Sequence, residues 1–159
     1  MDRHIDDGKV QAAACSALAM IALNSQESKA AFREAGVVKR IVAAMRKHLT
    51  DRQVQGMACY SLMSSVNADT RAEFETEGAI QSIIEAATEH QLDFYVQDAA
   101  WWALWKGLQG LPSEHQQKLL TGQARAKGVI MSAMADNRAS DKTRECGKRL
   151  VDIFDGTAL

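Results

Sequence analysis

The sequence predicts an all-helical fold made from a repeated unit of about 42 residues. Apolar residues recur at three- and four-residue spacing, and no alternating run of Val, Ile and Thr predicts a strand. The dipeptide Val-Gln opens three similar apolar segments at Val10, Val54 and Val96, which stand 44 and 42 residues apart. These segments are predicted to be three copies of one long helix.

The glycines supply a second marker of the repeat. Gly followed by two apolar residues occurs at Gly36, Gly78 and Gly128, with spacings of 42 and 50 residues. Because glycine ends a helix in the left-handed conformation at little steric cost, these residues are predicted to turn a short helix sharply into the next one. Two independent markers that share one period indicate an internal repeat.

Each unit contains three helices in the same order. A short polar helix comes first ("ESKAAFREAG", then "ADTRAEFETEG"), the helix after the glycine follows ("VVKRIVAAMRKHL", then "AIQSIIEAATEH"), and the Val-Gln helix is last. The polar residues Asn24-Ser25 and Asn67-Ala68-Asp69 are predicted to cap the short helices at their N-termini.

The third unit departs from this pattern. Its first segment, within residues 109–128, is about eight residues longer and contains Pro112, the single proline of the chain. A shortened second helix, "VIMSAMADN", and a last helix, "DKTRECGKRLVDIF", are predicted after it. Matching Cys146 and Leu150 with Ala14 and Leu18 makes this last helix a fourth copy of the long one.

The period, the three helices and the pattern "EAGVV" followed by "VQ" resemble the armadillo repeat over residues 9–154. Paired-helix HEAT repeats, the alternative, lack the short first helix and the Gly turn. The resemblance implies an α-α superhelix, a right-handed solenoid that forms a single domain over residues 1–159. Stacking agrees with the physics, because one such unit cannot bury its apolar face alone. The implied parts are residues 9–23 (third helix of a truncated repeat), 26–66 (repeat), 68–108 (repeat) and 110–154 (irregular C-terminal repeat).

In armadillo proteins the third helices line a concave groove, so the resemblance implies a protein-binding surface on the long helices. The importin-alpha branch carries a Trp there and an Asn four residues later. Here only Trp102 matches the Trp, while Ser16, Tyr60 and Lys148 take the equivalent places, and no Asn follows. Binding of nuclear-import cargo is therefore not expected. The candidate groove residues are Gln55, Tyr60, Ser64, Gln97, Asp98, Trp102, Lys106 and Lys148.

All three tryptophans lie in the segment "VQDAAWWALWKGL". The repeat phase places Trp101 in the core, Trp105 against the neighbouring repeat and Trp102 in the groove. Tyr60 and Trp102 are candidate contact anchors, although packing in the core is an equal alternative for both. The two candidate lysines are available for acidic groups of a ligand. The amides of the two candidate glutamines, with Asp98, are expected to hydrogen-bond an extended backbone.

Net charge, cysteine content and the length of the apolar runs argue against several classes of protein. A net charge of -1 argues against nucleic-acid binding, which needs a surplus of Lys and Arg. Three separated cysteines without a C-x-x-C pair suggest reduced, buried thiols in a reducing compartment. The first ten residues do not form a signal peptide, and the longest apolar run is too short to cross a bilayer. The expected location is the cytoplasm, with the nucleus as the alternative.

No sequence motif points to catalysis or to a cofactor. The chain has no zinc-protease, nucleophile-elbow, phosphate-loop or dinucleotide pattern, and His48 and His90 occupy equivalent sites near helix ends, where bonds to carbonyls are expected. The sequence therefore predicts a non-catalytic protein-protein interaction module without cofactor or metal. The alternative is a structural role, as part of a longer array or through self-association of two apolar stack ends.

Overall fold

The computed structural model describes residues 1–24, 31–67, 70–136 and 138–157, apart from the side chain of Asn24. These residues are helical, without a strand among them, as the sequence predicts. Residues 31–34 are helical, and a single 3-10 turn spans Asp2–His4. The helices are α1 (Gly8–Asn24), α2 (Val37–Lys47), α3 (Arg52–Ser65), α4 (Arg71–Thr76), α5 (Ala79–Glu89), α6 (Phe94–Leu108), α7 (Ser113–Leu120), α8 (Ala124–Ala135) and α9 (Asp141–Asp155).

The helices pack in two layers. The long helices α1, α3, α6 and α9 form one layer, in which each helix contacts the next along the chain. Helices α2, α5 and α8 form the other layer in the same manner. The short α4 packs against α2 and α5, and α7 packs against α9. One hydrophobic cluster lies between the layers and extends from Cys15 to Ile153. The surface of the long-helix layer that faces away from this cluster is called the open face below.

Acidic or hydroxyl side chains begin the long helices. The carboxylate of Asp51 accepts hydrogen bonds from the backbone N–H groups of the second and third residues that follow it, and Asp7 and Asp93 do the same. Ser140 accepts one such bond from Thr143, at 3.1 Å. Side-chain oxygens in this position satisfy N–H groups that have no partner within the helix. The caps also give a common reference from which positions on the four helices can be counted.

The turns at Gly36 and Gly78 are as predicted. Their φ angles are 58° and 75°, in the left-handed region, and α2 and α5 begin directly after them. The predicted turn at Gly128 is wrong, because this residue lies inside α8, which already begins at Ala124. Gly122, with a φ of 84°, precedes α8 instead. The third turn therefore comes 44 residues after Gly78, close to the period of the earlier units.

The capping prediction can be compared with only part of the chain. The Asn24 side chain, Ser25, Ala68 and Asp69 lie outside the described residues, as do residues 27–30 of the first short helix. The Asn67 side chain accepts a hydrogen bond from the backbone N–H of Thr70 at 2.9 Å, just before α4.

The two ends of the long-helix layer differ in character. Met20 and Ile21 on α1 are 56% and 47% exposed, as predicted for an apolar end. The prediction of an apolar surface at the other end is wrong, because the exposed residues of α9 are charged. They are Asp141, Lys142, Glu145, Lys148, Arg149, Asp152 and Asp155. Within the described ranges, no helix combines the length and the apolar character that crossing a membrane requires.

Candidate functional site

A row of side chains crosses the open face. Counted from the caps, the ninth residue of each long helix is Ser16, Tyr60, Trp102 and Arg149. Tyr60 and Trp102 are half-buried, and each packs one side against the core while the other side reaches solvent. The predicted place of Trp102 on the open face is consistent with this geometry. Counted from the caps, Arg149 takes the fourth place, next to the predicted Lys148, and both residues are exposed on α9.

Tyr95 extends this row between α3 and α6 and was missed from the sequence. Its ring lies against Gly56, where a methyl group would collide with it. Burial raises the pKa of Tyr95, and the neighbouring Cys59 and Tyr60 raise it further. A glycine in the middle of α3 was the available sequence signal, because helix interiors rarely contain one without a packing reason.

Two cations of α9 cover tryptophan rings of α6. The Lys142 Nζ atom lies 4.0 Å from the centroid of the Trp102 ring, and the Arg149 Cζ atom lies 5.0 Å from that of Trp105. Such contacts contribute about 0.5–1 kcal/mol at exposed sites. Trp105 therefore faces the neighbouring long helix, as predicted. Below, the aromatic row means Tyr60, Tyr95, Trp102 and Trp105.

The charged rim of this row is mainly basic. Lys106 is half-buried and lies one turn after Trp102 on α6, and Lys148 is exposed on α9. Arg149 pairs with Glu145 one turn earlier, with 2.7 Å between Nη2 and Oε1. Lys106 and Lys148 were predicted from the sequence, whereas Lys142 and Arg149 were not. The position of a residue in the repeat predicts the helix face on which it lies. It does not predict which ring of a neighbouring helix a long side chain contacts.

The glutamines of the Val-Gln motif have a structural role, so their assignment to the groove is wrong. The Gln55 side-chain amide donates to the carbonyls of Met45 and His48, both at 2.8 Å. The Gln97 amide donates to Ala87 at 2.6 Å and to His90 at 3.0 Å. Both side chains are buried because these acceptors end the preceding helix, beneath the long one. Gln11 makes the same pair of bonds, to carbonyls ten and seven residues earlier.

Trp101 is buried in the core, as predicted, and completes this glutamine motif. Its Nε1–H donates to Oε1 of Gln97 at 2.9 Å. The equivalent oxygens of Gln11 and Gln55 are buried and accept no hydrogen bond from the described residues. Cys15 and Cys59 stand at the equivalent positions of those copies, and a thiol is a weak donor. The tryptophan therefore satisfies an acceptor that stays unpaired in the earlier helices.

Ser64 and Asp98 are also engaged within the protein. Ser64 is buried, and its hydroxyl donates to the carbonyl of Tyr60 at 2.9 Å, so its assignment to an exposed groove is wrong. Asp98 is half-buried, and one carboxylate oxygen accepts from the hydroxyls of Ser140, at 2.5 Å, and Thr143. This carboxylate therefore ties α6 to the beginning of α9.

A cleft of about 360 Å³ opens between the beginning of α6 and the α8–α9 connection. The exposed side chains of Leu92 and Phe94 stand on one side. Small apolar residues of α8 and of the α8–α9 connection stand on the other, with Asp98 and Thr143 in the wall. Asp98 lies one turn before Trp102, so the cleft adjoins the aromatic row. Its lining comes from segments about 40 residues apart, which the repeat pattern did not bring together. The small residues are Ala133, Ala135 and Ala139.

His48 and His90 contact backbone carbonyls, and the three cysteines are buried. Nε2 of His48 lies 2.6 Å from the carbonyl oxygen of Ile5, and Nε2 of His90 lies 2.8 Å from that of Leu49. Each bond joins the end of one unit to the preceding unit, so the expected bonding to carbonyls is confirmed. The three cysteines are free and buried, and burial raises the pKa of Cys15 to about 12 and that of Cys146 to about 11.

Comparisons with protein-family models, with curated protein sequences and with solved structures gave no match for this chain. The functional interpretation therefore rests on the geometry of the open face.

Proposed function

We propose that the chain is an armadillo-type solenoid that acts as a non-catalytic interaction module. It binds a protein or peptide segment across the open face of α3, α6 and α9. The observation that carries this proposal is the aromatic row, whose half-exposed rings lie beside a preformed cleft. Aromatic side chains that are fixed from below and exposed above are typical anchors of protein interfaces.

Three repeated contacts support the solenoid part of the proposal. Each long helix packs on the next, and each helix of the second layer does the same. In α1, α3 and α6, one glutamine side chain donates to the carbonyls of the residues ten and seven positions before it. The histidine bonds recur at His48 and His90, 42 residues apart. Contacts limited to neighbouring units are typical of repeat proteins.

The aromatic row and the cleft that adjoins it favour a partner segment with two features. An apolar or aromatic side chain suits the cleft, where Phe94 and the small alanines leave room for it. An acidic group suits Lys142 and Arg149, which are held above Trp102 and Trp105. A carboxylate there would meet cations whose positions are already restricted, and this lowers the entropic cost of binding. Free, buried thiols agree with a protein of the cytoplasm or nucleus.

The test uses a random peptide library displayed on phage and selected against the purified chain. We expect selected peptides to bind the wild type and to lose at least tenfold in affinity with Trp102→Ala and with Tyr60→Ala. Loss of an anchor of this kind costs about 2 kcal/mol or more, which exceeds a factor of ten. Fluorescence anisotropy of the synthetic peptides measures the dissociation constants.

Met131→Ala is the matched control, because this residue is also apolar and 53% exposed but lies outside the aromatic row and the cleft. Circular dichroism checks that each variant keeps its helix content. Equal affinity of the wild type and both aromatic variants would place the binding surface elsewhere. Failure to select any peptide would argue against the proposed function itself.

A further inference from the structure

The outward face of α1 carries four exposed large apolar side chains, more than the described part of any other long helix. Met20, Ile21 and Leu23 are 56%, 47% and 53% exposed, and Val10 is 38% exposed. The remaining outward residues are Ala13 and Ala17, and the single charged residue of this helix is Lys9.

The later copies of the same helix show what this face is shaped to contact. Val54, Ser61 and Ser65 on α3 are equivalent to Val10, Ala17 and Ile21, and all three are fully buried. Val54 shares a small cluster with Ala12 of α1, so this side of α3 faces the preceding long helix. On α6 the equivalent residues are again buried: Val96, Ala103 and Gly107. This face is therefore a helix-packing face, and its small residues let another helix approach closely.

The charges of the long helices indicate which helix of a second molecule can pack against the outward face of α1. The outward face of α9 carries charged side chains, so the α9 of a second molecule would lose their hydration against the apolar face of α1. The α1 of a second molecule brings an uncharged face with alanines at its centre. In an antiparallel pair, Lys9 of each copy lies beside the partner's helix C-terminus, where the macrodipole favours a cation.

We propose that two copies of this chain associate through α1, antiparallel and face to face, with the two-fold axis close to Ala17. Ala17 lies near the middle of the outward stripe from Val10 to Leu23. The interface is isologous, so it closes at a dimer and does not continue into a filament. A pair of 17-residue helices is roughly 25 Å long. It buries less than a standard interface, and the dimer is therefore expected to dissociate on dilution. This proposal does not depend on the proposed function, because it uses a different face.

Sedimentation equilibrium over a hundredfold range of concentration tests the association. The wild type is expected to shift from the monomer mass towards the dimer mass, whereas Ala17→Glu stays monomeric at every concentration. Lys148→Glu on the outward face of α9 is the control, and it should behave as the wild type. A wild type that remains monomeric, or that grows beyond a dimer, overturns the proposal.

Cysteine cross-linking tests the geometry without a destabilising charge. Under mild oxidation, Ala17→Cys is expected to give a disulfide-linked dimer, because a residue at the two-fold axis meets its own copy. Val10→Cys is expected to stay monomeric, since its two copies lie roughly 20 Å apart along an antiparallel pair. The native thiols are buried and give little background. Equal cross-linking of both variants overturns the antiparallel arrangement, and no cross-linking of Ala17→Cys overturns the two-fold contact.

Discussion

The region from α1 to α6 and the region from α7 to α9 are held together differently. In the first region, one buried glutamine per long helix donates to two carbonyls at the end of the preceding helix. At the equivalent position of α9 stands Arg144, which donates from Nη2 to the carbonyl of Asp136 at 3.0 Å, its one side-chain hydrogen bond to the residues that the structure describes. Side-chain contacts such as Asp98 with Ser140 and Lys127 with Asp155 attach this last helix instead. In the regular units, therefore, buried glutamine side chains bond to backbone carbonyls and join each long helix to the helix before it. The last helix is attached mainly by partly exposed contacts between side chains.

The largest expected effect tests this difference directly. Gln97→Leu removes three hydrogen bonds. The carbonyl of Ala87 and the indole N–H of Trp101 lose the partners they have in Gln97, whereas the carbonyl of His90 still accepts from the backbone N–H of Asp93. We expect the free energy of unfolding to fall by about 3 kcal/mol, since each unsatisfied buried group costs about 1–3 kcal/mol. Chemical denaturation followed by circular dichroism measures it.

Two further variants serve as internal references. Gln55→Leu should lose slightly less than Gln97→Leu, because no indole depends on Gln55. Arg144→Leu should lose less than about 1 kcal/mol, since its one bond is partly exposed. If Arg144→Leu and Gln97→Leu are equally destabilised, the proposed difference between the two regions is wrong.

The sequence predicted the regular region well because its signals are local. The left-handed turns at Gly36 and Gly78 and the core position of Trp101 follow from the period and from residue chemistry. The turn of the third unit was misplaced because a glycine followed by two apolar residues also occurs inside α8. A glycine is tolerated in a helix, so the marker alone does not distinguish a turn from a helix interior. The φ angle of Gly122 does so.

The candidate site was predicted only in part. Tyr60 and Trp102 lie where the helical phase puts them, because period and exposure follow from the positions of neighbouring apolar residues. Gln55 was misassigned because a polar residue in an apolar helix was interpreted as exposed, whereas it pairs with backbone carbonyls that no side-chain pattern reveals. The contacts of Lys142 and Arg149 with α6 depend on the approach of helices far apart in sequence.

Trp101 is the residue at which the third long helix departs from the first two, because its indole bonds to the glutamine of the motif. Its replacement gives the second test of stability. Trp101→Phe removes the donor to Gln97 Oε1 and leaves a small cavity, so we expect a loss of about 2 kcal/mol in the free energy of unfolding. Trp102→Phe, one residue along, should change it by less than about 0.5 kcal/mol, since this ring is half-exposed and keeps its contact with Lys142. Thermal denaturation of the two variants compares them, and equal losses would contradict the division between core and open face.

The smallest expected effects have opposite signs at two glycines of the last region, Gly122 and Gly128. Gly122 has a φ of 84°, so Gly122→Ala forces a side chain into the left-handed region and should destabilise by about 1 kcal/mol. Gly128 lies inside α8, where a methyl group meets open space, so Gly128→Ala should stabilise by about 0.5–1 kcal/mol through helix propensity. Urea unfolding under identical conditions measures both changes. The reverse signs would show that the third turn is at Gly128 after all, and that the last unit is the longer, irregular one the sequence suggested.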